Sequence, residues 1–407
     1  MISVSPFKAL RPQAQYARQL ASKPYDVLNS KEAKTEATGN PYSFLHITKS
    51  EIDLSPSVDI HSNEVYIKAK ENLDAFVSRS LLFLESKPCY YIYRLVMNNK
   101  SQTGLVCCSS VDDYEKGLIK KHEFTRPEKE ADRIAHIKTT GAQTGNVFLA
   151  FKDVAELNQL IEKWKTEKTP IYDFSSEDQV QHTVWVINDE KTIHTITNIF
   201  ESKIDSTYIA DGHHRAASAA KVKQDLSSYD EANYFLTTLF PASQLHIMDY
   251  NRLVKDLNGL SEKEFLGKLD RYFVVEKENE AYSPAHPHHF GMYLNRKWYQ
   301  LTALEGTYET DPIGILDVTI LQNNLLEPVL GIHDQRTDKR IDFVGGIRGL
   351  NELEKKVNSK EWTVAFSLYP VSIQQLFDIA DTGNVMPPKS TWFEPKLRDG
   401  LFTHLIS

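Results

Sequence analysis

Along residues 63–84, Val65, Ala69, Leu73, Phe76 and Leu81 recur about one helical turn apart, and this spacing predicts a helix there. The period then changes to that of strands. "CYYIYRLVM" and "GLVCCSSV" are β-rich runs separated by the polar "NNKSQT", which predicts a hairpin. "DDYEKGLIKKHEFTRPEKEADRIAHIKTT" is charged and helical in spacing, with Pro127 placed to open a new helix in its first turn. Further on, "NVFLAF" reads as a strand, "VAELNQLIEKWKTE" as a helix, and "HTVWVI" and "KTIHTI" as strands. Earlier, "ISVSPFKALRP" predicts a short strand ending in a basic loop, "YARQL" a brief helix, and Asn29 or Ser30 a helix cap. Later, "YFLTTLFPASQLHIMDYNRLV" holds two strand-like runs, and "EKEFLGKLDRYFVVEK" a helix leading into a strand. "HHFGMYLNRKWYQLTAL" reads as a hairpin with Asn295, Arg296 and Lys297 near its turn. Helices and strands alternate, so the expected class is α/β with mixed α+β character, a mixed sheet flanked by helices.

The chain has 407 residues, beyond the size at which one core usually keeps growing. The proline- and histidine-rich "ENEAYSPAHPHH" is the clearest break, which predicts a core over 1–280 and a C-terminal α+β lobe over 281–407. The formal net charge of −8 gives no broad basic field, so a nucleic-acid partner is not expected. The 3 cysteines are odd in number and have no C-x-x-C spacing, which argues against a disulfide framework and a cysteine-based zinc site, and Cys107 and Cys108 read as buried strand packing. No stretch has the length of a membrane span and the first twenty residues lack the apolar core of a signal peptide, so a soluble cytoplasmic protein is expected.

Chemistry concentrates at 208–222, "YIADGHHRAASAAKV". An apolar strand precedes "DGHH" and an alanine-rich helix follows, so the turn should present unpaired N–H groups and the positive end of a helix dipole. Gly212 permits a left-handed backbone or close approach of a ligand, Arg215 offers a planar fork of donors, and Asp211 could hold a hydroxyl or a cation. His213 and His214 are adjacent and point apart, which argues against one metal between them. His286 and His288 share a side if extended, yet no acidic or cysteine partner adjoins them, so they read as a surface loop. There is no Walker A sequence and no G-x-G-x-x-G, which leaves this turn as the place for phosphate chemistry.

The boxes "SPFKALRP", "KPYDVLNSKEA", "NPYSFLHI", "KKHEFTRPEKEADR", "GAQTGNVFLAF", "YIADGHHRAASAA", "HIMDYNRLV" and "MPPKSTWFEPKLRDGL" run in order from Ser5 to Leu401. In that order they resemble the bacterial and archaeal family catalogued as domain of unknown function 1015. The D-G-H-H-R box also resembles the D-G-x-H-R box of the ParB/sulfiredoxin-like fold, which includes free-serine kinases that use ADP, ATP or pyrophosphate. That resemblance implies a ParB/sulfiredoxin-like core with large additions, in which Asp211, Gly212, His213, His214 and Arg215 form a phosphate-binding turn. An acidic residue from the N-terminal part would activate the acceptor hydroxyl: Asp26, with Glu123 as competitor.

The other boxes supply supporting residues under the same resemblance. Lys8 and Arg11 would complete an anion pocket, Arg126 or Arg133 would neutralise the transferring phosphoryl group, and Gln143 and Thr144 would touch the ligand. Lys389, Ser390 and Thr391 would close over a phosphate as the segment 385–401 returns to the site, with Lys396 balancing charge. The implied activity is transfer of a phosphoryl group to a small hydroxyl metabolite, serine above all, with Mg²⁺ carried on the donor phosphates and no firm protein ligands for it. A nucleotide- or phosphate-binding regulatory protein is the alternative, and a homodimer stays open.

Overall fold

A computed structural model describes residues 1–406. The chain divides into two compact units, one formed by Met1–Leu245 with Pro395–Ser407 and the other by His246–Glu394. The proline- and histidine-rich run around residue 280 thus lies inside the second unit, between the strands Phe273–Glu278 and His289–Leu294.

The first unit is built on a mixed nine-stranded sheet flanked by helices. Its order is Ile119–Lys120, Thr207–Asp211, Val147–Phe151, Tyr234–Pro241, Lys100–Ser110, Tyr90–Met97, Gln181–Ile187 and Tyr172–Ser175, with Val4–Ser5 also pairing on Lys100–Ser110. Two contacts are parallel, Thr207–Asp211 with Ile119–Lys120 and Tyr234–Pro241 with Val147–Phe151. The central strands read as continuous apolar runs because both faces are covered: every residue of Val147–Phe151 is buried. Cys107 and Cys108 sit in this interior as expected, and burial pushes the Cys107 thiol up to about 12. A four-stranded sheet joins both chain ends, with Thr403–Leu405 inserted between Ala9–Pro12 and Ala142–Gln143.

Three sequence expectations change. "KTIHTI" lies in the helix Glu190–Lys203, where the Asp189 carboxylate accepts from the Thr192 N–H and Ile196, Ile199 and Phe200 are buried at helical spacing. Its β-branched residues imitate a strand, and the cap and apolar stripe decide for helix. The helix opening at Asn63 stops at Ser78, and Leu82–Leu84 forms a strand beside Ala9–Pro12. Before Pro127 the charged segment holds only the short helix Val111–Glu115 and the strand Ile119–Lys120, and Pro127 then starts the helix Pro127–Thr140 as expected.

The second unit carries a six-stranded antiparallel sheet in the order Phe273–Glu278, Lys297–Ala303, His289–Leu294, Val364–Leu368, Tyr250–Val254 and Ile341–Gly345. The predicted hairpin turn is made by Asn295 and Arg296 at φ 46° and 60°, the left-handed pair that matches strand twist. Among the described residues no helix is long and apolar enough to cross a membrane.

Candidate functional site

The turn begins with an irregularity. Strand Thr207–Asp211 pairs antiparallel with Val147–Phe151, and the register shifts between Ile209 and Asp211, so that Asp211 comes opposite Phe148. Gly212 then adopts φ 95°, which only glycine takes without strain, and a Cβ there would sit 3.4 Å from both the Arg215 Cζ and the Val147 Cα. The helix His213–Asp225 follows with no side-chain cap. Its first internal bond runs from the Ala216 N–H to the Gly212 carbonyl, and the N–H groups of His213, His214 and Arg215 have no acceptor among the described residues. Ala216, Ala217, Ala219 and Ala220 are all buried, so this helix lies close against its neighbours. The Ser218 hydroxyl donates at 3.3 Å to the Glu130 carbonyl of helix Pro127–Thr140.

Arg215 is buried and held from several sides. Its Nη2 donates to Asp26 Oδ2 at 2.9 Å, its Nη1 to the Asn146 carbonyl, and Asp211 Oδ2 stands 4.0 Å away. Gly145 and Gly212 make room for the side chain: a Cβ at Gly145 would lie 3.4 Å from the Arg215 Cδ. Burial opposes the charge, but Asp26, Asp211, Tyr25 and Asp399 outweigh it and raise the pKa. Arg215 Nε is buried without a hydrogen-bond partner. Much of the fork is therefore spent on the protein, and the open donors of the turn are the helix N–H groups.

Tyr25 lies beside two guanidiniums, with Arg133 Cζ 3.9 Å and Arg215 Cζ 5.8 Å from its ring centroid. Arg133 in turn donates twice to Asp132, at 2.9 and 2.6 Å. Asp132 also accepts from the Tyr66 hydroxyl at 2.9 Å. Tyr25, Arg133, Gln143, Thr144, Gly145 and Arg215 line one cleft of the first unit. Asp26, which the sequence put forward to activate the acceptor hydroxyl, meets Arg215 at a sequence separation of 189.

Asp211 receives Lys396 Nζ at 3.2 Å. Burial works against its charge, but Lys396 and Arg215 more than offset this and draw its carboxyl down to about 2. His213 is buried, its Nε2 accepts from the His122 N–H at 3.5 Å, and its Nδ1 lies 3.8 Å from the Glu123 carboxylate. That arrangement puts the ring proton on Nδ1, towards Glu123. Burial lowers His122 to about 4 and holds His213 well below its ordinary value, so both rings are neutral at pH 7. His214 Nδ1 accepts from the Arg126 N–H at 3.4 Å, while the Arg126 side chain is exposed.

Other sequence candidates are placed differently. Arg11 is taken up by Glu85 at 2.7 Å and the Tyr172 hydroxyl at 2.8 Å, with the Phe83 ring 4.4 Å away, and does not reach the turn. Lys8 is exposed. The Gln143 amide is committed to the Tyr234 carbonyl at 3.1 Å and the Leu236 N–H at 2.8 Å, which makes it a support for the cleft. Lys389, Ser390 and Thr391 belong to the second unit, where the Ser390 hydroxyl donates to the Pro387 carbonyl at 2.6 Å. Among the described residues no three His, Cys, Asp or Glu side chains converge as metal ligands.

The sequence reading overlooked Asp399. It is 1% exposed, and its backbone exchanges two hydrogen bonds with Ser22, at 3.0 and 2.9 Å. A Cβ at Gly145 would stand 3.3 Å from its Oδ1, and its Oδ2 is buried with no partner. Burial pushes its carboxyl up to about 7, with Arg215 opposing and Asp26 reinforcing the rise. The signal was the Asp-Gly pair in "LRDGL", since Gly400 takes φ 88° and a Cβ there would meet Phe44 Cβ at 2.7 Å.

No curated protein matches the sequence. A conserved hypothetical protein from Pyrococcus furiosus is similar in structure at TM-score 0.36 and 14% identity, over 74% of this chain and 95% of that one. A free serine kinase mutant solved with AMP is similar at TM-score 0.37 and 12% identity, over 72% and 92%. SbnI from Staphylococcus aureus, truncated at its C-terminus, is similar at TM-score 0.39 and 11% identity, over 72% and 85%. The family described as "Protein of unknown function (DUF1015)" matches residues 4–319, which reaches past the turn and stops short of the box at 386–401. By that match, which takes in most of the chain and the whole D-G-H-H-R box, the protein belongs to the DUF1015 family.

Proposed function

We propose that the protein is a small-metabolite phosphotransferase, with free L-serine as acceptor and ATP, ADP or pyrophosphate as donor. The observation that carries this reading is the uncapped helix N-terminus entered through left-handed Gly212, with three N–H groups open and Lys396 beside it. The N–H groups of His213, His214 and Arg215 would hold the donor phosphates, and Mg²⁺ bound with the donor would offset their charge. In the transfer, the serine oxygen forms a bond to the transferring phosphorus as the bond to the leaving phosphate oxygen breaks. The hydroxyl proton passes to Asp26 or Glu123. Arg215 locks Asp26 to the turn, and Lys396 and Arg126 offset charge on the moving group. The resemblance of the D-G-H-H-R box to that of the serine kinases supports the choice of acceptor.

A second reading has its own support. Asp26 Oδ2 is engaged by Arg215 at 2.9 Å, which leaves that oxygen occupied and favours phosphate binding without transfer. One experiment separates the two. The full chain is incubated with Mg²⁺, serine and each donor in turn, and phosphoserine is sought by mass spectrometry. Phosphoserine with at least one donor is expected. None with any donor, alongside saturable nucleotide binding, overturns the transferase in favour of the regulator.

A further inference from the structure

The second unit buries an arginine with no acid to meet it. Arg252, on strand Tyr250–Val254, is fully buried, and among the described residues no ion pair reaches it. Its donors meet neutral acceptors only: the Tyr250 carbonyl, Gln335 Oε1 at 3.4 Å and the Pro388 carbonyl at 3.5 Å. The last two are at the weak end of hydrogen-bond geometry. A buried guanidinium without a countercharge is costly, and burial pulls its pKa down to about 10.

The surroundings of Arg252 are aromatic. Tyr250 and Arg252 alternate onto the same face of the sheet, opposite Gly345 and Phe343 of the edge strand. The Phe343 ring lies 5.2 Å from Arg252 Cζ, and the Tyr250 ring packs edge-on to Phe343 and Trp392 at 5.9 and 5.0 Å. The Trp392 ring covers Gly345, where a Cβ would come within 2.8 Å of it. The other face is closed by a core of Leu253, Val344, Leu353 and Trp362. Above Arg252 runs the loop of Pro387 and Pro388, in which Lys389 is exposed, takes φ 59° and sets its Nζ 5.6 Å from the Tyr250 ring. Two cations thus stand against one aromatic cluster, Arg252 buried and Lys389 exposed.

We propose that Arg252 and Lys389 form a binding site in the second unit for the oxyanion of a small phosphorylated or carboxylated molecule. The oxyanion replaces the weakly held Pro388 carbonyl on Arg252 and supplies the missing countercharge, while Lys389 closes from the solvent side. Nothing in this site draws on the turn at Gly212, and either can fail without the other.

The test is crystallisation of the full chain with tungstate in place of phosphate, and separately with malonate as the carboxylate. Density in contact with the Arg252 guanidinium is expected with one probe or both, and the probe that gives it identifies the oxyanion. Arg252→Met should lose that density. Wild-type crystals with no density beside Arg252 for either probe overturn the proposal, whether or not the variant folds. Tungstate on the N–H groups of His213 to Arg215 alone would also overturn it and leave the phosphotransferase reading standing.

Discussion

At the scale of single residues the site rests on charges that the fold holds away from water. Asp26 keeps about a third of its side chain exposed, whereas Arg215 is almost wholly enclosed. Asp26→Asn leaves the guanidinium without that partner. The expected loss is about 1–2 kcal/mol, less than the 3–5 of a fully buried pair because solvent screens Asp26. Urea denaturation at pH 7 measures it, and an unchanged midpoint would show that Asn146 and Asp211 suffice. Asp399 gives a prediction with a sign. Its carboxyl is held protonated up to about 7, whereas in the unfolded chain it ionises near about 4. The native state therefore keeps a proton that the unfolded state gives up, so this contribution is complete below the lower value and lost as pH rises through the higher one. Asparagine cannot ionise. The stability of wild type minus that of Asp399→Asn should fall by on the order of a few kcal/mol between pH 4 and pH 7.5. The lowered pKa values of His122, His136 and His182 act in the opposite direction, but they are present in both proteins and cancel in the difference. A difference independent of pH would refute the assignment.

At the scale of elements, the turn at Gly212 tests whether its backbone geometry matters beyond stability. Gly212→Ala places an L side chain at φ 95°, at a cost of about 1–2 kcal/mol. Gly39→Ala, at φ 80° with open space around it, carries a similar conformational cost. Both variants should melt lower by similar amounts, but only Gly212→Ala should weaken pyrophosphate binding in calorimetry. Equal binding by the two would remove the turn from the site. Most elements were legible in the sequence because their local signals agree. Asn29 caps the helix Ser30–Ala37 in a capping box with Glu32, and Pro127 and Gly141 bracket the helix between them. Glu190–Lys203 was not, since threonines and isoleucines favour strands locally and only packing chose between the two periods. Within the site, the strand, turn and helix at 207–225 could be read directly. Which acid met Arg215 was left between two residues, and Asp399 went unseen, because both depend on approaches between distant parts of the chain.

For the whole molecule, the first unit is discontinuous: its last piece, Pro395–Ser407, is separated from the rest by the second unit. That piece brings Lys396 to Asp211, carries Asp399, and inserts Thr403–Leu405 into the four-stranded sheet. It also buries Leu397, Leu401, Phe402 and Ile406. At about 1.5–3 kcal/mol for each large apolar side chain, their loss approaches the roughly 5–15 kcal/mol that stabilises a typical domain. A chain ending at Glu394 should therefore lose the cooperative melting of the first unit, as followed by circular dichroism, and a retained transition would contradict this. The same discontinuity sets an order of events during synthesis. A ribosome adding roughly 5–20 residues per second spends on the order of ten seconds on residues 246–394 before it reaches Lys396. Throughout that interval the nascent first unit lacks a strand and two of its site residues, so the enclosure around Asp211 and Arg215 is completed only after the whole second unit has been made.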